Sequence, residues 1–116
     1  MGPLDEWERC KCYLEAALDG TYTLEDVWHE IEQRNAQFWP LTRSAVVTQI
    51  IRHPQCKVLR IWLAGGELDE LLRFVSAADN YAREQGCARV EIDGRKGWSR
   101  VLPGYDIERV TLTKDV

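Results

Sequence analysis

At 116 residues, with 45% hydrophobic and 29% charged residues and a net charge of −4, the chain has the make-up of one globular domain spanning residues 1–116. No stretch approaches the about 18 apolar residues of a membrane span, and the acidic opening "MGPLDEWERCKC" lacks the apolar centre of a signal peptide, so a cytosolic protein is expected. Nine acids and three bases precede Ala36, whereas ten acids and twelve bases follow Asn35; without a contiguous basic face, nucleic acid is not an expected partner.

Leu4, Trp7, Leu14, Ala17 and Leu18 recur at helical spacing with acids between them, and "DGT" at Asp19 to Thr21 ends this first helix. Thr23-Leu-Glu-Asp26 forms a capping box with Asp in place of the usual Glu or Gln. It starts a second helix striped by Leu24, Val27, Trp28 and Ile31 and reaching about Asn35. The period then changes. "QFWPLTRS" reads as a short edge strand broken at Pro40, which cannot donate to a ladder. "SAVVTQIIRH" and "KVLRIWLA", joined by the turn "HPQCK", read as an antiparallel hairpin over Ala45 to Ala64. Leu68, Leu71, Leu72, Val75, Ala78 and Ala82 restore the helical period in a long helix ending near Gly86. "CARVEIDG" alternates as a half-buried strand, "RKGWSRVL" predicts a helical turn or two, and "YDIERVTLTK" a final strand. A strand, helix, strand crossover is right-handed and parallel, so a mixed α/β sheet is expected, with the long helix opening at the carboxyl edge of the hairpin's second strand, where such sheets place ligands.

Four cysteines and two histidines are present. Cys10 and Cys12 stand two apart on a helical pattern and point in different directions, so reduced thiols rather than zinc ligands are expected. Five tryptophans are a high load for this length. Trp28, Trp62 and Trp98 fit core positions, whereas Trp7, on the acidic first helix, and Phe38 and Trp39, beside the edge strand, are candidates for a partner surface. Arg95, Lys96 and Arg100 form the densest basic cluster.

The order of elements, together with "FWP", "SAVVTQI", "LAGGELDEL", "EQGC" and "GRKGWSRVLP", resembles the GNAT superfamily of acyl-CoA N-acyltransferases, and more narrowly a small phage-encoded GNAT-like group. The resemblance implies a GNAT-like fold of two helices, a strand meander, a long helix, a strand, a short helix and a strand. It further implies acyl-CoA lying where two strands splay, its pyrophosphate on a loop at Ala64, Gly65, Gly66 and Glu67, with Arg95 and Lys96 placed for the adenosine phosphate. Of the superfamily's loop pattern only Gly65 and Gly66 have a match. For an N-acyltransferase the general base would come from Glu91, Glu67 or His53. The superfamily's acid is a tyrosine four residues ahead of a Gly-aromatic pair. With that pair at Gly104-Tyr105, the position is Arg100, which cannot give up a proton, leaving Tyr105 as the substitute.

A helix N-terminus attracts anions by about 0.3 to 1 kcal/mol, but Glu67, Asp69 and Glu70 fill the first turn of the long helix. At about 4 Å a like-charge pair costs on the order of 1 kcal/mol in water and several at an effective dielectric near 20. The double glycine therefore reads as a tight turn ahead of a self-capped helix. The expectation is a phage or prophage GNAT-like protein without catalysis and without cofactor, which docks a protein partner, phage structural proteins or itself, in the bacterial cytoplasm or on the virion. The alternative is an acetyl-CoA-dependent N-acetyltransferase with a shortened loop.

Overall fold

The computed structural model describes residues 2–93, 101–107 and 111–116. Two helices come first, α1 (Pro3–Glu15) and α2 (Leu24–Glu32), then strands β1 (Gln37–Pro40), β2 (Ser44–Arg52) and β3 (Lys57–Gly66), the long helix α3 (Leu68–Glu84), and strand β4 (Arg89–Ile92). The sheet runs β1-β2-β3-β4. β1 and β3 are antiparallel to β2, whereas β4 is parallel to β3, as the crossover through α3 requires. This is the expected mixed α/β architecture.

Period-2 alternation in the strands divides the core between the two faces of the sheet. Ala45, Val47 and Leu63 turn toward α1 and α2, meeting Trp7, Cys10, Leu14 and Val27. Val46, Leu59 and Ile61 turn the other way, against Leu71, Phe74, Val75, Ala78 and Ala82 of α3. On α1 the buried stripe is Trp7, Cys10 and Leu14, a spacing of three and four residues. Burial of each large apolar side chain contributes about 1.5 to 3 kcal/mol. At the start of α2 the capping box forms in both directions: the Thr23 hydroxyl accepts from the Asp26 amide at 3.2 Å, and the Asp26 carboxylate accepts from the Thr23 amide at 2.9 Å.

Several boundaries move. α1 stops at Glu15, ahead of "DGT", and α2 at Glu32. β3 continues through both glycines to Gly66 rather than ending at Ala64. Most of "RKGWSRVL", with Arg95, Lys96, Trp98 and Arg100, lies outside the described residues. In "YDIERVTLTK", Tyr105 to Ile107 and residues 111–114 form no strand, and the remainder lies outside the described residues.

Candidate functional site

The site is built on β3. Its register against β2 slips by one residue: Thr48 pairs with Ile61 but Val47 pairs with Leu63, so Trp62 is a bulge. The extra residue breaks the alternation, and Trp62 and Leu63 both join the α1 and α2 side. A bulge bends its strand and tightens the local twist. The pairing with β4 ends at Ile61 and Ile92, one residue before this bend. From Trp62 to Gly66, β3 has β2 on one edge and no strand on the other among the described residues.

A cleft of about 900 Å³ opens along this edge. The α1 to α2 connection forms one wall, where Tyr22, 42% exposed, meets the Trp62 ring edge-on at 4.9 Å. Leu71, Phe74 and Val75 of α3 form the apolar opposite wall. At the mouth, Arg60 pairs with Asp93 just beyond β4, and Asp19 stands close enough to feel the Arg60 charge. The Thr21 hydroxyl and amide, more than Arg60, hold the Asp19 carboxyl below the usual carboxylate range.

The double glycine at the far end of the cleft is strand rather than loop. Ala64, Gly65 and Gly66 pair with Val46, Ala45 and Ser44, and only Glu67 separates strand from helix. Each glycine is required by a close approach. A β-carbon at Gly65 would collide with the Tyr13 carbonyl oxygen of α1; at Gly66, whose φ is +121°, it would collide with the backbone of Arg43 and Ser44. The Glu67 amide, which a diphosphate loop would need, donates to the Arg43 carbonyl at 3.1 Å.

The first-turn carboxylates serve the same junction. Glu67 pairs with the Arg43 guanidinium at 3.2 Å. Glu70 accepts from the Arg43 amide at 2.9 Å and from the buried Ser44 hydroxyl; that hydroxyl, and after it the Arg43 amide, hold the Glu70 carboxyl below its usual range. On the other side of the sheet Arg9 donates to the Leu41 and Thr42 carbonyls at 2.8 and 3.1 Å while paired with Glu6 at 2.6 Å. The segment 41–44 is thus clasped by α1 and α3 together. These residues fit a diphosphate poorly: the Glu67 amide is taken, and the start of α3 carries Glu67, Asp69 and Glu70.

The other candidates scatter. Glu91 lies on β4 beside Arg89 at 3.6 Å, opposite Arg60 in register, and does not line the cleft. The exposed His53 sits in the β2 to β3 turn, its amide given to the Cys56 carbonyl at 2.8 Å. Tyr105 packs against the α3 core away from the cleft. Its hydroxyl is buried without a hydrogen-bond partner among the described residues, and burial, with a smaller contribution from Asp79, pushes the phenol up to about 12. Tyr105 thus sits as a core residue and not in the cleft, where the substitute acid of the sequence reading would stand.

The partner-surface reading of the aromatics is corrected for Trp7, which is 4% exposed and stacks on Trp28 at 5.2 Å and Phe38 at 5.5 Å. Phe38 and Trp39 are half-buried anchors as well. Trp39 donates from its ring nitrogen to the Thr48 hydroxyl at 2.9 Å and packs on Phe74 and Tyr81. All four cysteines are free thiols, and among the described residues no group of three or more His, Cys, Asp or Glu is placed to hold a metal. No helix of the described residues is long and apolar enough to cross a membrane.

Asp19, Arg60, Trp62 and Asp93 were not singled out as a site from sequence. Asp19 and Arg60 are far apart in the chain, and the bulge that aims Trp62 into the cleft has no marker in "RIWLAGG".

No protein-family model matches the chain, and no curated protein matches it by sequence. Solved structures do match its shape. TTHA1254 from Thermus thermophilus is similar at 15% identity in its wild-type form, with a TM-score of 0.61 over 94% of this chain and 91% of that one. A point mutant of the same protein gives 0.63. A GNAT family acetyltransferase from Staphylococcus aureus is similar at 10% identity, with a TM-score of 0.63 over 100% of this chain and 95% of that one. At such identities the likeness is one of architecture, and the architecture of this chain is GNAT-like.

Proposed function

We propose that this chain is a GNAT-like scaffold without acyltransferase activity that serves as a protein-binding module. The observation that carries the reading is the junction of β3 and α3. Gly65 and Gly66 are consumed by close packing on α1 and β2, and the Glu67 amide is given to Arg43. Asp69 stays exposed in a first turn that also holds Glu67 and Glu70. A diphosphate there would meet negative charge where the fold's N-terminal dipole would otherwise attract it. Nor do the candidate acid and base assemble: Tyr105 and Glu91 do not share the cleft.

The partner we propose is a protein of a bacteriophage particle or a second copy of this chain, following the phage-group likeness of "SAVVTQI" and "GRKGWSRVLP", with the chain in the host cytoplasm or on the virion. Neighbouring portal and tail genes would support this assignment. A thermal-shift series with acetyl-CoA tests the binding-module reading. A ligand at 100 times its dissociation constant adds about 2.7 kcal/mol, several degrees for a domain of this size. No shift at millimolar acetyl-CoA and no thiol release with amine acceptors are expected; a saturable shift with turnover would contradict the proposal.

A further inference from the structure

The open edge of β3 is the feature that the packing of the fold leaves unused. Five residues, Trp62 to Gly66, present backbone groups along about 17 Å of strand with no partner strand on that side among the described residues. About two or three of those residues turn both amide and carbonyl outward. The edge lines the cleft.

The cleft is two-sided. A strand added beside β3 would send alternate side chains to opposite walls: one set to the apolar wall of Leu71 and Val75, the other toward Tyr22, Asp19 and Asp93. Around that second wall the carboxylates of Asp19 and Asp93 flank Arg60, so among the described residues that line the cleft acids outnumber bases.

We propose that the cleft takes an extended peptide segment of a partner protein, which adds as a strand to the Trp62–Gly66 edge with apolar residues alternating with lysine or arginine. This inference rests on the binding-module reading and names its occupant. A peptide supplies the edge with amides and carbonyls, as in other strand-addition complexes. It brings positive rather than negative charge to the wall of Asp19 and Asp93, which coenzyme A does not.

The test is an amide-shift titration of the full chain with a capped Val-Lys-Val-Lys-Val-Lys peptide. A Val-Glu counterpart, a version N-methylated at alternate residues, and coenzyme A complete the set. The expected result is saturable shifts concentrated on residues 62–66, with the Val-Glu and N-methylated peptides each at least about tenfold weaker, or about 1.4 kcal/mol. Asp19→Asn, an exposed substitution, weakens the Val-Lys peptide and leaves the fold intact. Unmoved 62–66 amides, or equal binding of the N-methylated peptide, would overturn the strand-addition inference while leaving the binding-module reading standing. Coenzyme A displacing the peptide, together with acetyl transfer from acetyl-CoA to an amine with release of the thiol, would overturn both.

Discussion

The two ends of one stretch, Trp62 and the Gly66–Glu67 junction, meet opposite fates. At the junction most groups are engaged: Gly65 lies under the Tyr13 carbonyl, Glu67 bonds Arg43 by amide and carboxylate, and Glu70 holds Ser44, while Asp69 stays exposed. At the bulge the pairing with β4 has ended and, among the described residues, the edge of β3 is left to the cleft. The junction is filled by the chain's own side chains and backbone, whereas the adjoining groove is open among the described residues. On the proposed reading, function lies along the strand and not at the helix end.

The largest expected effect comes from filling the closed end. Gly65→Ala sets a β-carbon against a backbone carbonyl that only a shift of α1 can relieve. It should cost about 3 kcal/mol or more, a fall of about 10 °C or more in Tm, read by thermal and urea unfolding. Wild-type stability in this variant would mean that α1 does not press on β3.

Removing the clasp is a smaller change. Ser44→Ala deletes a buried hydroxyl that holds Glu70 and should cost about 1 kcal/mol. The Glu70 carboxyl is depressed in the folded state. Its contribution is therefore present above the unfolded carboxylate pKa, about 4.3, and is lost as pH falls through the lower folded value. The stability gap between wild type and Ser44→Ala should stay constant near neutrality and narrow in acid. A carboxyl NMR titration should give Glu70 a midpoint below the usual glutamate range, rising in Ser44→Ala. An ordinary midpoint in the wild type would remove the clasp from the account.

At the open end the effects are smaller still. Tyr22→Ala loses an edge-to-face ring pair at a half-exposed site, worth about 0.5 to 1 kcal/mol, and should shift Trp62 emission to the red as the cleft wall thins. Tyr105→Phe, outside both regions, should be near neutral or stabilising at pH 7, because it removes a buried hydroxyl without a partner. Its phenol is raised to about 12. Wild-type stability should therefore hold below about pH 10, the unfolded tyrosine value, and decline as pH rises through 12; the Phe variant should lose that component of the decline.

Most of the architecture was legible from periodicity. The Thr23 to Asp26 capping box, the β-branched hairpin and the apolar stripe of α3 each led to the element that forms. Two things were not legible, for physical reasons. Gly-Gly between a strand and a helix has the same letters whether it cradles an anion or lets a helix carbonyl approach a strand, and only the position of Tyr13 decides between them. A bulge shifts alternation by one residue without any residue type that announces it, so the cleft-facing set of Asp19, Arg60, Trp62 and Asp93 emerges only in three dimensions. Trp7 shows the converse: acids on either side suggested a surface, but its spacing of three and seven residues to Cys10 and Leu14 puts it in the core.

The central claim is that the β3 to α3 junction is closed to a diphosphate. Following the amides of Glu67 to Leu71 while coenzyme A is added to millimolar concentration tests it directly. Unmoved amides, with the Glu67 proton still protected by its bond to the Arg43 carbonyl, are the predicted result; saturable shifts centred on those amides, with loss of that protection, would contradict it.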